Sequence, residues 1–170
     1  MNCPVCDIMD NEHFVIYQDK FAVAYLSQDP AVEGHVVIAP RNHIPILEQV
    51  PGEILEHLFI IANRISISVF ELFNAQGTNI IVNNGIPAGQ NMPHFSISVL
   101  PRKENDGLNF RWAPKQISEQ DMQGVLGKVK DRCDYIGHEV PKQAPVVVDK
   151  KEELVVEEVD ERIKSLERIP

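Results

Sequence analysis

The segment from His94 to Leu100 constrains the fold most, because polar and apolar side chains alternate along it. Side chains of a β-strand point alternately to opposite faces, so residues 94, 96 and 98 share one face. That face carries one imidazole, from His94, and two hydroxyls, from Ser96 and Ser98. The segment therefore predicts a strand in a sheet that has one half-open, polar face.

One long helix and four further strands are predicted around this strand. Apolar residues recur at helical spacing from about residue 52 to residue 73, between Pro51 and Asn74. The strands are predicted at residues 14–17, 21–26, 35–39 and 78–83. Because short connections join most of these elements, we expect an α+β fold, in which an antiparallel sheet of about five strands carries the helix on one face.

Residues 111–170 are interpreted as a helical C-terminal extension of a domain formed by residues 1–110. Its predicted parts are, in order, a helix capped by Ser118, a Pro-rich connector at 140–145, a short strand at 146–148 and a charged helix at about 152–168. The extension is too short for an independent core. We expect it to pack on the main domain or on a partner subunit.

Composition narrows the classes of partner. The chain has 170 residues and a formal net charge of -9, which argues against binding to nucleic acid or to acidic membranes, since both require basic patches. No apolar run approaches the roughly 20 residues of a membrane span. The three cysteines and the lack of a signal-peptide pattern do not fit a secreted disulfide framework, so the expected location is the cytoplasm.

Cys3 and Cys6 form a C-x-x-C pair, whose two sulfur atoms can meet one metal ion in a tight turn. Zinc would need two more soft or borderline ligands to complete a tetrahedron. A redox pair and two buried thiols are alternative interpretations. A redox pair normally follows a strand and opens a helix, and no strand is predicted ahead of Cys3.

The polar strand and the loop before it resemble the active-site segment of the histidine triad (HIT) superfamily. The family pattern is His-φ-His-φ-His-φ-φ, where φ is apolar, with a Gly-Gln four residues upstream. This chain keeps Gly89-Gln90 and His94, but Ser96 and Ser98 stand where the second and third histidines belong. The resemblance implies a HIT-like fold and common descent.

The resemblance, which covers about residues 3–103, also implies a metal site. In the zinc-carrying branch of the superfamily, which includes the galactose-phosphate uridylyltransferases, the ligands are a C-x-x-C pair, a histidine in a Pro-x-x-His turn and the first triad histidine. The matching residues here are Cys3, Cys6, His43 and His94. Such a site is closed, so the implied Zn²⁺ is structural. The alternative is that His43 is a surface or capping residue and His94 a satisfied core histidine.

The chemistry of the family depends on the middle histidine, which attacks the α-phosphate of a nucleotide conjugate. Ser96 stands at that position, and a hydroxyl is a poor nucleophile unless an adjacent base takes its proton. Ser98 is not a base, and His94 is not available if it binds zinc. His35, in the Gly-His pair of the family, is the remaining candidate for a base. We therefore expect no hydrolysis by the family mechanism.

Nucleotide recognition is partly preserved, according to the resemblance. Ser27 stands where the family usually has an aspartate that holds ribose hydroxyls, and Asn83, Gly89 and Gln90 match positions on the phosphate side. Their alternative interpretation is ordinary turn chemistry. The predicted ligand-binding residues are Ser27, Asn83, Gly89, Gln90, Ser96 and Ser98.

These features predict a zinc-binding protein that binds a nucleotide or another phosphorylated small molecule without histidine-dependent hydrolysis. Two alternatives remain: an active nucleotide phosphohydrolase or nucleotidyltransferase with replaced chemistry, and a structural or interaction subunit. The family commonly pairs through its long helix and a central strand. Because the helix has additional apolar residues at Phe59, Ile60, Ile67 and Phe70, we expect a homodimer, unless the C-terminal helix covers that face.

Overall fold

The computed structural model describes residues 3–133, which fall into two units with a boundary between Gln116 and Ile117. The elements are α1 (Pro4–Asp10), β1 (Val15–Gln18), β2 (Ala22–Leu26), β3 (Val36–Pro40), α2 (Gly52–Leu72), β4 (Gly77–Ile81), β5 (Ile97–Arg102) and α3 (Glu119–Arg132). Short 3-10 turns cover Leu47–Gln49 and Ile86–Ala88. The connector, strand and helix predicted at 140–145, 146–148 and 152–168 lie outside the described residues.

The five strands form one antiparallel sheet in the order β1-β2-β3-β5-β4. This confirms the predicted α+β architecture. In the centre of the sheet, Ser98 of β5 is paired with Val37 of β3 on one side and with Ile81 of β4 on the other. Paired residues point to the same face, so these three side chains lie together.

Helix α2 covers the first face of the sheet. Its apolar stripe, which includes Leu58, Ile61 and Val69, packs on Ile97 and Val99 of β5 and on neighbouring strands. The Ser66 and Thr78 hydroxyls meet at 2.8 Å at the end of this contact. The long helix begins and ends within one residue of its predicted limits, because its apolar stripe runs along the whole helix and is buried against the sheet.

The second face is partly covered by α1, a helix that the sequence did not predict. Its buried residues are Val5, Ile8 and Met9, and they pack on Val23 and Tyr25 of β2. Pro at the first turn favours helix initiation, but seven residues are too few for a stable isolated helix. Tertiary contacts must therefore hold α1 in place.

Strand β5 begins at Ile97, three residues later than predicted. His94 lies in a bend before the strand, where it is almost fully buried, and the Phe95 N–H donates to the Ile44 carbonyl at 2.6 Å. The predicted strand face of residues 94, 96 and 98 is thus wrong in extent, since only Ser98 lies within β5. Periodicity alone did not show that the chain turns before Ile97.

The turn between β1 and β2 is fastened to α2 through Asp19. The Asp19 carboxylate accepts hydrogen bonds from the N–H groups of Phe21 and Ala22, both at 2.8 Å, and from the Tyr17 hydroxyl at 2.7 Å. His57 of α2 lies 2.5 Å from the same carboxylate. Burial would raise the pKa of Asp19, but these hydrogen bonds outweigh it and lower the pKa below its ordinary value.

None of the helices in residues 3–133 has the length and apolar character needed to cross a membrane.

Candidate metal centre and ligand face

Four predicted metal ligands come from three separate parts of the chain. Cys3 is the N-cap of α1 and Cys6 lies in its first turn, so the spacing of three brings both sulfur atoms to one side of the helix. His43 follows β3, and His94 precedes β5. β3 and β5 are neighbouring antiparallel strands, so the end of β3 and the start of β5 lie side by side. His43 and His94 therefore come close together at this end of the strands, beside α1.

The four ligating atoms lie within 4.8 Å of one another. The Nδ1 atom of His94 is 3.5 Å from the Cys3 sulfur and 3.7 Å from the Cys6 sulfur, and the Nδ1 atom of His43 is 3.6 Å from the Cys6 sulfur. A tetrahedral zinc ion with ordinary bond lengths separates a sulfur and a nitrogen ligand by about 3.6 Å. The donor set and its spacing therefore fit a four-coordinate metal ion.

The protonation of His94 also suits a metal ligand. Its Nε2 atom lies 2.9 Å from the Pro40 carbonyl oxygen, which only an N–H can satisfy, so the neutral ring presents an unprotonated Nδ1 to the two sulfur atoms. Burial lowers the pKa of His94, and the nearby His43 acts in the same direction, although the hydrogen bond to Pro40 opposes them. A neutral imidazole is the form that binds a metal.

The thiol of Cys6 has a raised pKa. Burial raises its pKa to about 11, with further contributions from a hydrogen bond and charge at Cys3 and from the charges of Asp10 and Asp7. Two thiolates side by side are unfavourable unless a positive ion lies between them, and a bound metal deprotonates a coordinating thiol. The four residues can thus hold a metal ion whose charge compensates both sulfurs.

Ser96 and Ser98, at the start of β5, define a second surface, the predicted ligand face. Ser98 lies in β5, Ser96 lies just before the strand begins at Ile97, and Asn83 lies two residues after β4 ends at Ile81. The last pair of β4 and β5 at this end is Ile81 with Ser98. Both serines are half-buried, and within residues 3–133 neither hydroxyl makes a hydrogen bond to a protein group.

His35 is not paired with Ser96. Continued along β3 and β5, the register separates the two residues by four positions, which is about 13 Å along a strand. The Nδ1 atom of His35 instead accepts a hydrogen bond from the Ala31 N–H at 3.3 Å, and its buried Nε2 has no partner in the described part of the chain. Burial lowers the pKa of His35, against the charge of Asp29. The base considered for Ser96 is therefore out of reach.

Gln90 and Gly89 shape the loop before the site. The Gln90 side chain accepts from the Gly85 N–H at 2.8 Å and donates to the carbonyls of Pro45 and Met92 at 2.6 and 2.8 Å. Gly89 has a φ of 89°, which few residues other than glycine adopt. Both residues thus have structural roles in the loop, and their contact with a ligand stays a prediction.

Ser27 directly follows β2, and Asn83 follows β4 by two residues. The Ser27 N–H donates to the His35 carbonyl at 3.0 Å, and the Ser27 hydroxyl accepts from the Asp29 N–H at 3.3 Å. The Asn83 side chain donates one long hydrogen bond within residues 3–133, 3.4 Å to the Gly89 carbonyl.

Sequence reasoning missed two parts of this site. One is α1, which carries both cysteines, and the other is the Pro40 carbonyl that orients His94. The Pro-x-x-His spacing indicated His43 but did not show that the proline carbonyl turns back toward the second histidine. A short helix signalled only by a proline in its first turn is easily missed.

The five-stranded antiparallel sheet with a long helix on one face is the fold of known HIT-family structures. The HIT domain family model matches residues 9–105, and the chain belongs to this family.

Three known proteins show the range of similarity. An adenosine 5′-monophosphoramidase of Saccharomyces cerevisiae is 31% identical over 129 residues, which cover 74% of this chain and 78% of the relative. A member of the HIT family from Bacillus subtilis is 25% identical, with a TM-score of 0.71 over 78% of this chain and 97% of its own. A Zn-bound histidine triad family protein from Mycobacterium smegmatis is 28% identical, with a TM-score of 0.60 over 78% of this chain and 98% of its own.

Proposed function

We propose that this protein is a zinc-holding HIT-domain protein that binds a nucleotide, or another phosphorylated small molecule, and does not hydrolyse it by the histidine mechanism of its family. The observation that carries the proposal is that Ser96 and Ser98, at the triad positions, have no base within hydrogen-bonding distance in residues 3–133. Binding without turnover is what such a face supports best.

The chemical argument rests on the state of Ser96. A serine hydroxyl becomes a nucleophile when a neighbouring base accepts its proton. The nearest imidazole along the strand, His94, has one nitrogen directed at Pro40 and the other at the sulfur atoms of the metal centre. His35 lies about 13 Å away along the strand. This supports the loss of covalent catalysis and disfavours an active enzyme that uses Ser96.

The metal is proposed to be zinc with a structural role. Two sulfur and two imidazole ligands form a typical closed zinc site, and all four positions are taken by protein groups. The likeness to a HIT-family protein that is Zn-bound supports this identity. The metal would join α1 to the end of β3 and the start of β5, next to the ligand face. Because the thiols must stay reduced to bind it, we also propose a cytoplasmic location.

The ligand is proposed to lie along the second face, on Asn83, Ser96 and Ser98. These groups offer uncharged donors and acceptors, and Gln90 and Gly89 keep the adjoining loop in shape. Relatives that act on nucleotides, such as the monophosphoramidase, support a nucleotide as the ligand. Without the two histidines, phosphate groups gain no charge compensation from the triad positions, so we expect modest affinity.

Calorimetric titration with AMP tests the proposed binding. We expect the wild-type protein to bind AMP and Ser98→Leu to lose binding, because the larger side chain fills the centre of the face. Ser68→Leu, on α2 and therefore on the other side of the sheet, is the matched control and should bind normally. Absence of binding to AMP and to the other nucleotides of a panel would instead favour a structural subunit.

A homodimer is proposed through the outer face of α2 and the edge strand β4. Phe59, Ile60, Ile67 and Phe70 are 41–46% exposed on this face, and Ile80 of β4 is 41% exposed beside them. Light scattering should give twice the mass of a 19.2 kDa chain. Ile67→Lys should give the mass of one chain. The control Ile16→Lys, on the opposite edge strand β1, should leave the dimer intact.

A further inference from the structure

The sulfur atoms of Cys3 and Cys6 lie close enough to share a metal ion or to bond to each other. Together with the ring nitrogens of His43 and His94, they form a group of four ligating atoms within 4.8 Å of one another. A disulfide joins two sulfur atoms at about 2.0 Å, and rotation of the side chains can close the remaining distance. The pair therefore has two possible bonding states.

The backbone between the two cysteines also suits a disulfide. Cys3 is the N-cap of α1 and Cys6 lies in its first turn. Cα atoms three residues apart in a helical turn are separated by about 5 Å. A disulfide accepts Cα separations of about 4.4–6.8 Å, so this bond requires little movement of the backbone. The helix that a redox pair normally opens is thus present, although the sequence did not predict it.

We propose that Cys3 and Cys6 form an oxidation-sensitive latch, in which a hydroperoxide converts the two thiols into a disulfide and the metal ion is released. The latch rests on the proposed metal centre. A cysteine binds a metal as its thiolate, and the thiolate is also the form that reacts with oxidants. The two states exclude each other, because a disulfide sulfur carries no charge to offer a metal ion.

The burial of the two cysteines sets the order of the reaction. Cys3 is 2% exposed, whereas Cys6 is half-buried and meets His43 at the surface. The Cys6 sulfur attacks hydrogen peroxide, the O–O bond breaks, and Cys6 becomes a sulfenic acid. The Cys3 sulfur then attacks the Cys6 sulfur and displaces hydroxide. The pair loses two electrons, and the peroxide takes up these electrons and two protons and leaves as two molecules of water.

The disulfide does not replace the connection that the metal would provide. It lies within the start of α1, whereas the metal would join α1 to His43 and His94. After oxidation, α1 depends on the packing of Val5, Ile8 and Met9 alone, and seven residues are too few for a stable isolated helix. Oxidation should therefore loosen α1.

The loosening of α1 reaches the surface beside the ligand face. Tyr25 packs with the buried residues of α1 and is paired with Val37 of β3. Val37 is in turn paired with Ser98 of β5. Paired residues point to the same face of a sheet, so α1 and Ser98 flank the same row of side chains. The latch thus connects the oxidation state of the two cysteines to the border of the ligand face.

Treatment of the full-length protein with hydrogen peroxide tests the latch. A chromogenic chelator should report the release of about one zinc ion per chain. Two of the three cysteine thiols should disappear, and peptide mass spectrometry should show a disulfide between Cys3 and Cys6. Cys133→Ser, which removes the third cysteine, is the matched control and should release the same amount of zinc.

The zinc content before treatment tests the proposed metal centre separately. If the protein contains zinc but keeps both the metal and its thiols after treatment, the latch is overturned and the metal centre stands. A disulfide that involves Cys133, or sulfinic acids in place of a disulfide, would also overturn the latch. A protein purified without zinc would overturn the metal centre, and the latch with it.

Amide exchange measures the structural consequence in the same protein. Oxidation should remove protection from α1 while α2 remains protected. Reduction with dithiothreitol, followed by addition of zinc, should restore the original exchange of α1. Unchanged protection of α1 after the disulfide has formed would contradict its loosening.

Discussion

Replacement of Cys6 by serine should detach α1 from the sheet. Serine is a poor zinc ligand, so the variant should lose the proposed metal, which would join α1 to His43 and His94. Seven residues do not form a stable helix alone, and the burial of Val5, Ile8 and Met9 depends on that helix. Full exposure of three such side chains costs about 4.5–9 kcal/mol, at 1.5–3 kcal/mol each.

Partial detachment already gives a measurable effect. A loss of only ~3 kcal/mol lowers the melting temperature by roughly 6–12 °C in a protein of this size. Thermal unfolding followed by circular dichroism measures the shift, and amide exchange should show lost protection in α1 while α2 remains protected.

The control for this experiment is Asp10→Ser, which makes a similar change at an exposed position of the same helix. It should leave the metal content, the melting temperature and the exchange pattern close to those of the wild type. If Cys6→Ser behaves like Asp10→Ser, then Cys6 does not hold a metal and α1 is stabilised by packing alone.

Two further predictions concern the scaffold. Gly34→Ala should destabilise the domain strongly, because Gly34 has a φ of 79° and an added Cβ would lie 2.4 Å from the Phe73 ring. At the control position Gly52, an added Cβ meets no atom within 4 Å, so Gly52→Ala should be nearly neutral. Urea unfolding measures the stability of both variants. Asp19 has a lowered pKa in the fold, so its contribution to stability is present above about pH 4 and is lost as the pH falls further. Asp19→Asn should therefore lose less stability than the wild type between pH 6 and pH 3.5. An equal loss in both proteins would contradict this role.

The sheet and the long helix could be predicted because their patterns are long. The stripe of α2 spans 21 residues, and the strands have clear apolar faces between turn residues. The cluster of four residues that could hold a metal could be predicted from family positions, since Cys3 and Cys6 lie close in sequence and the histidines flank strands. The short helix α1 could not, because tertiary contacts outweigh its weak local preference.

The start of β5 and the position of His35 show a second limit of prediction from the sequence. Alternation continues through residues 94–96, so the pattern gives no sign that His94 turns into the metal centre before the strand begins. Which histidine lies near Ser96 depends on strand register, and register follows from the pairing of whole strands. A single sequence named the candidates for the site but did not determine the distances between them.

The central claim is that the ligand face binds without covalent catalysis, and turnover of adenosine 5′-monophosphoramidate tests it most directly. Chromatography of the released AMP, together with mass spectrometry of the peptide that contains Ser96, gives both the rate and any adenylylated intermediate. We predict that wild-type protein and Ser96→Ala show the same near-background rate and that neither forms an adduct, because no base reaches the hydroxyl. A wild-type rate that Ser96→Ala abolishes, or an AMP adduct on Ser96, would contradict the account.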